Sequence, residues 1–165
     1  MRRNVTKIPP LTLDRAPLLA RPYLQSDSPL AAMLAYVPEL LEATMPFVST
    51  VLGPSHLGER LKHLVVLRTS VRNGCRYCTR VYSDGATAGL SDEDIAAIRA
   101  PEPRVIRFDQ RERAALAFVD RFCSEPSGSV DSLGDLFRAD EIVALVTIAG
   151  ATDFLNRFAT ALGLE

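Results

Sequence analysis

Three cysteines in a chain of 165 residues are too few, and odd in number, to staple a small secreted fold, so a reducing, cytoplasmic setting is expected. Histidine is scarcer still. His56 and His63 are the only two, and no second C-x-x-C or H-x-x-x-H exists to complete a zinc site. An excess of one charge is also lacking: 19 basic residues face 20 acidic ones, the net charge is -1 and the pI is about 6.1. Nucleic-acid binding is therefore not expected.

Long uncharged stretches are missing too. The most apolar segment, residues 142–150, is flanked by Asp140, Glu141 and Asp153, so no membrane span is expected. The opening Met1-Arg2-Arg3 could begin a leader, but Lys7, Pro9, Pro10 and Asp14 interrupt the apolar run that should follow. It reads as a solvated arm. No glycine-rich phosphate loop, H-E-x-x-H pair or serine elbow occurs, and neither cofactor nor metal is expected.

What the chain does have is helical punctuation, and its 47% hydrophobic content suffices for the core of one domain. Residues 1–28 hold Pro9, Pro10, Pro17 and Pro22 without a helical period and are predicted to form an extended arm. Its leucines and Tyr23 would pack on the domain or on a neighbouring subunit. From residue 29 to 165 the expected fold is all-α. Ser28-Pro29 caps a first helix, Pro38 starts a second to about residue 52, and Ser55 can cap a third that ends near Asn73-Gly74. The next runs from Cys75 to about residue 88. Ser91 with Asp94, and Asp109 with Glu112, look like capping boxes, and Pro101, Pro103, Pro126 and Gly128 act as breaks. A short element near residues 133–137 precedes the longest helix, about 140–162, closed by Gly163.

The stretch Asn73-Gly74-Cys75-Arg76-Tyr77-Cys78 carries the chemistry, since it sets two thiols one turn apart at the start of a helix. The positive end of the helix dipole favours a thiolate there, and the second sulfur is near enough for a disulfide. A redox-active dithiol, half of a metal site and an inert structural pair all use this spacing.

The run Arg60-Leu61-Lys62-His63-Leu64-Val65-Val66-Leu67-Arg68-Thr69-Ser70 into that dithiol resembles the carboxymuconolactone decarboxylase and alkylhydroperoxidase D superfamily. Gly89-Leu90-Ser91-Asp92-Glu93-Asp94-Ile95, Asp140 to Leu145 and Asn156-Arg157 extend the likeness, which spans about Pro38 to the C-terminus. The resemblance implies an AhpD-like helical domain assembled as a homo-oligomer, a trimer or hexamer. It also implies a thiol-dependent peroxidase, with a protein dithiol or lipoyl-type group as reductant and antioxidant defence as the role. The cysteine matching Cys78 would attack the peroxide, and the one matching Cys75 would close the disulfide. Helix-start electrostatics alone nominate Cys75 as the more acidic thiol. A lactone decarboxylase or a redox sensor without turnover are the alternative readings.

The family motif has a glutamate twelve residues before the first cysteine and a histidine four after the second. This chain has His63 and Tyr82 instead. A rewired relay of Glu59, His63, Tyr82 and the thiols is the resulting expectation, with His63 as base and Glu59 holding its tautomer. The plain alternative is a surface histidine and a packed tyrosine. Cys123 reads as a small buried apolar residue, and His56 as a first-turn surface residue. Arg68, Asp153, Asn156 and Arg157 either satisfy one another or place an arginine against an acidic ligand. Tyr77 is expected at the pocket mouth, and Gly85 with Gly89 is spaced like a small-residue contact.

Overall fold

The computed structural model describes residues 8–84, 89–101, 107–125 and 130–164. The expectations for residues 1–7 and 85–88 and for Pro103, Pro126 and Gly128 fall outside these. Among the described residues every regular element is helical: α1 (Pro29–Leu34), α2 (Pro38–Leu52), α3 (Glu59–Arg72), α4 (Arg76–Asp84), α5 (Asp92–Arg99), α6 (Gln110–Ser124) and α7 (Ala139–Ala161). Short 3-10 turns span Leu18–Leu24 and Asp131–Leu133.

Local chemistry sets most of the boundaries. The Ser28 hydroxyl accepts the Ala31 N–H at 3.3 Å with Pro29 in the first turn, and the boxes Ser91/Asp94 and Asp109/Glu112 are both closed. The start of α3 departs from expectation. Gly58 sits at φ 73°, so the backbone cannot already be helical there, and the helix begins at Glu59 instead of just after Ser55. Ser55 accepts the Leu57 N–H in a preceding turn, and His56 lies in that turn with Nε2 3.4 Å from the Asp140 carboxylate.

Residues 8–28 are not extended throughout, because Leu18–Leu24 coil into a 3-10 turn that accommodates Pro22. Ala16 and Ala20, with Leu11, Tyr23 and Leu24, pack against Ala31, Leu34, Ala35 and Leu41. The Leu11 N–H donates to Ala32 and the Tyr36 hydroxyl to the Pro9 carbonyl, at 3.2 and 2.8 Å.

Helix α3 is the axis of the core, packed by α4, α5, α6 and α7. Leu64, Val65 and Leu67 are buried against Leu116, Phe118 and Val119 of α6 and Leu145 and Ile148 of α7. Each such side chain contributes about 1.5–3 kcal/mol through burial. By length and composition the 23-residue α7 could cross a membrane, which the sequence reading did not anticipate. Here it is a core helix, with Leu145, Ile148, Ala149 and Asn156 buried.

Two buried cations are satisfied on α3. Lys62 donates to the carbonyls of Leu52 and Gly53 at the end of α2. Arg68 spends all five N–H groups: two on the Asp120 carboxylate at 2.7 and 3.0 Å, and one each on the carbonyls of Ile98, Ala100 and Pro101. No donor remains for a ligand, so Arg68 clamps α3 to α5 and α6.

Candidate active site

The dithiol owes its position to the way α3 ends. Gly74 takes a left-handed φ of 65°, its N–H bonds to the Val71 carbonyl at 3.1 Å, and the Cys75 N–H bonds back to Ser70 at 3.0 Å. The chain reverses at once into α4, whose first backbone bond runs from the Thr79 N–H to the Cys75 carbonyl at 2.9 Å. Cys75 is thus the residue that caps α4. Its sulfur does the work usually done by a serine or aspartate oxygen, accepting the Cys78 N–H at 3.4 Å.

Both thiols are reduced and buried, Cys75 at 1% and Cys78 at 7% exposure, so groups lining the site rather than bulk water decide where the charge sits. The Cys78 thiol donates to the Cys75 sulfur, and the Cys78 backbone, Thr160 and Asn156 add further bonds. Together they hold the Cys75 pKa down to about 6 against the opposing effect of burial. The bond to charged Cys75 and burial push the Cys78 thiol up. Within the pair this bonding favours the charge on Cys75 over Cys78. This differs from the order implied by the resemblance, in which the residue matching Cys78 attacks first.

A cavity of about 480 Å³, lined by Asn73, Asn156, Arg157, Thr160 and Ala161, adjoins the residues that bond to Cys75. Tyr77 is half-buried with Leu30 beside the thiol pair. A second cavity of about 600 Å³ is lined by Val71, Gly74, Arg76, Thr79, Arg80 and Arg99.

Of the expected relay, the structure joins His63 and Tyr82, whose rings meet edge to face at 5.6 Å between centroids. Burial first, and the neighbouring Cys78 second, push the Tyr82 phenol up to about 12. It is therefore an acid or a dipole and not a base at neutral pH. The Glu59 carboxylate does not orient His63 as expected. The ring Nδ1 instead bonds to the main-chain carbonyl of Glu59 at 3.2 Å, because Glu59 is the first residue of α3 and its side chain is exposed. That bond requires Nδ1–H in neutral His63 and leaves the lone pair on Nε2.

Other singled-out residues separate cleanly. Cys123 is half-buried, with its thiol pushed up to about 11 chiefly by burial. Arg157 pairs with Asp153 at 2.8 Å at the cavity wall. Sequence reasoning missed Ser70, Asn73 and Thr160. Asp153, Asn156 and Thr160, at spacings of three and four on an apolar helix, form a polar stripe that marks Thr160; Ser70 and Asn73 carry no such signal. Among the described residues no group of three or more His, Cys, Asp or Glu side chains could hold a metal ion.

Residues 38–121 match the sequence profile of the carboxymuconolactone decarboxylase family, which takes in α2 to α5, most of α6 and both thiols. The chain belongs to the carboxymuconolactone decarboxylase family. Among solved structures it is similar to an Agrobacterium tumefaciens protein of unknown function described as a candidate antioxidant defence protein, AhpD. That likeness has 28% identity and a TM-score of 0.68, and covers 81% of this chain and 94% of the other. The debrominase Bmp8 superposes with a TM-score of 0.77 at 22% identity, covering 96% and 90%. A Bmp8 variant in complex with 2,3,4-tribromopyrrole gives 0.76 at 19%, covering 98% and 91%. The Bmp8 likenesses establish fold alone. No curated protein matches the chain significantly.

Proposed function

We propose that this member of the carboxymuconolactone decarboxylase family is a thiol-dependent peroxidase that works through Cys75 and Cys78. The observation that carries the reading is the capping of α4 by the Cys75 sulfur, which gives a thiolate and a hydrogen-bonded partner thiol in one turn.

The Cys75 thiolate attacks one peroxide oxygen; the S–O bond forms as the O–O bond breaks. The leaving alkoxide takes a proton from solvent and departs as an alcohol, leaving Cys75 as a sulfenic acid. The Cys78 thiol then attacks that sulfur, the S–S bond forms, and the hydroxyl leaves with the Cys78 proton as water. An external protein dithiol or lipoyl-type group returns two electrons and reopens the disulfide. Burial suits this sequence, because the resolving thiol is already bonded to the attacking sulfur and reaches the sulfenic acid before further oxidant does.

Stopped-flow consumption of cumene hydroperoxide by the reduced protein tests the proposal. One equivalent of hydroperoxide should vanish with loss of two thiols, and Cys75→Ser should abolish it. Unreacted hydroperoxide, or consumption that survives Cys75→Ser, overturns it.

A further inference from the structure

We infer that Asn156 is the residue that positions and holds the charged sulfur, with Ser70, Asn73 and Asp153 fixing its amide, in a chain whose two relay positions hold His63 and Tyr82. The inference rests on the dithiol reading above and identifies what makes that site work.

Hydrogen-bond polarity forces the arrangement. Ser70 gives its hydroxyl proton to the Val66 carbonyl at 2.8 Å, so toward Asn156 it can only accept. The group 3.1 Å away on Asn156 must therefore be Nδ2 and not Oδ1. At the other end the Asp153 carboxylate accepts from Asn73 Nδ2 at 3.0 Å, which fixes the Asn73 amide. Asn73 then donates its second N–H to Asn156 Oδ1 at 3.1 Å. Both anchors agree, and the Asn156 amide cannot flip.

Asn156 Nδ2 has two N–H groups, and Ser70 takes one. The other is left for the thiol pair, which packs against Ala159 three residues along the same face of α7 and whose charge Asn156 favours; a thiol is a weak acceptor and a thiolate a strong one. Asn156 is 1% exposed, so water does not compete for that donor. Ser70 ties the geometry to the cysteine itself, because its carbonyl receives the Cys75 N–H while its hydroxyl receives the Asn156 amide. Asn156 thus reads the position of the cap as well as its charge.

The titratable and charged groups around the pair are Tyr77, Arg80 and Tyr82 on α4, Asp153 and Arg157 on α7, His63 on α3 and Asp27 before α1. Apart from its partner Cys78, none of these is among the main influences on Cys75, whereas Asn156 and Thr160 are.

The test is the pH profile of iodoacetamide alkylation of Cys75 in the reduced protein, read by mass spectrometry of its peptide. Asn156→Asp keeps the shape but replaces the donor with an acceptor. The midpoint should rise by at least about one pH unit, a tenfold change in the thiolate equilibrium. If that variant does not fold, Asp153→Ala decides, since it removes the anchor of the Asn73 amide and should move the midpoint in the same direction. A midpoint unchanged in the folded variant overturns the inference. The profile involves no hydroperoxide, so a wild-type protein with a low midpoint but no peroxide consumption would sink the peroxidase reading and leave this one standing.

Discussion

The Cys78 backbone N–H lies 3.4 Å from the Cys75 sulfur and points its hydrogen at it, making one cysteine the helix cap of the other. Serine or aspartate in that position would satisfy the same orphan donor, but neither could be oxidised. The helix start and the thiol with the lowered pKa thus share a single atom.

The Cys78 thiol is the first influence on the Cys75 charge, so Cys78→Ala should raise the alkylation midpoint of Cys75 from about 6 by at least about one unit. A midpoint still near 6 would show that the backbone, Asn156 and Thr160 suffice without the neighbouring thiol.

Stability should follow the same charge. The Cys75 pKa is depressed on folding, so between pH 6 and 9 the unfolded chain binds more protons there than the folded one, and stability contributed by Cys75 rises with pH. That contribution should be complete above the ordinary thiol value of 9.0 and lost as pH falls through about 6. Urea unfolding of the reduced protein against Cys75→Ser should show a difference that grows from pH 6 to 8; a flat or shrinking difference contradicts it.

His63 touches the site through Tyr82, and Nδ1 is committed to the Glu59 carbonyl. His63→Ala should therefore shift the Cys75 midpoint less than Asn156→Asp does. The reverse ranking would restore the histidine-based relay.

Arg68 is 1% exposed and depends on Asp120 for two of its five bonds. Asp120→Ala should cost about 3 kcal/mol or more in urea unfolding, since it leaves a buried guanidinium without its counter-charge. A loss below about 1 kcal/mol, the range of exposed pairs, would contradict the clamp.

Apolar side chains remain uncovered on the single chain, including Leu40 and Phe47 on α2, Val143 and Phe154 on α7, and Leu18 and Leu19 before α1. We propose that a homo-oligomer covers them. Light scattering should give a mass that is a multiple of 18.0 kDa, a trimer or hexamer, and a stable monomer would contradict it.

The helices were legible because their ends are written in local chemistry: Ser28-Pro29, Ser91 with Asp94, Asp109 with Glu112, and Gly74. The start of α3 was not, because Ser55 is a plausible cap and only the left-handed backbone at Gly58 moves the helix on. The thiols could be read from their spacing. Their supporting network could not, since Ser70, Asn73 and Asn156 meet across more than eighty residues of sequence. The Glu59 and His63 pairing failed for a simpler reason. Residues four apart on a helix can bond through the main chain as readily as through side chains, and here the carbonyl won.

The most direct test is where the first oxygen lands. Cys78→Ser should be treated at pH 8 with one equivalent of cumene hydroperoxide and trapped with dimedone, so that the sulfenic acid cannot condense. The dimedone adduct is expected on the peptide carrying Cys75. Absence of an adduct there, together with an adduct on Cys78 in the matching Cys75→Ser protein, would contradict the assignment of the attacking sulfur.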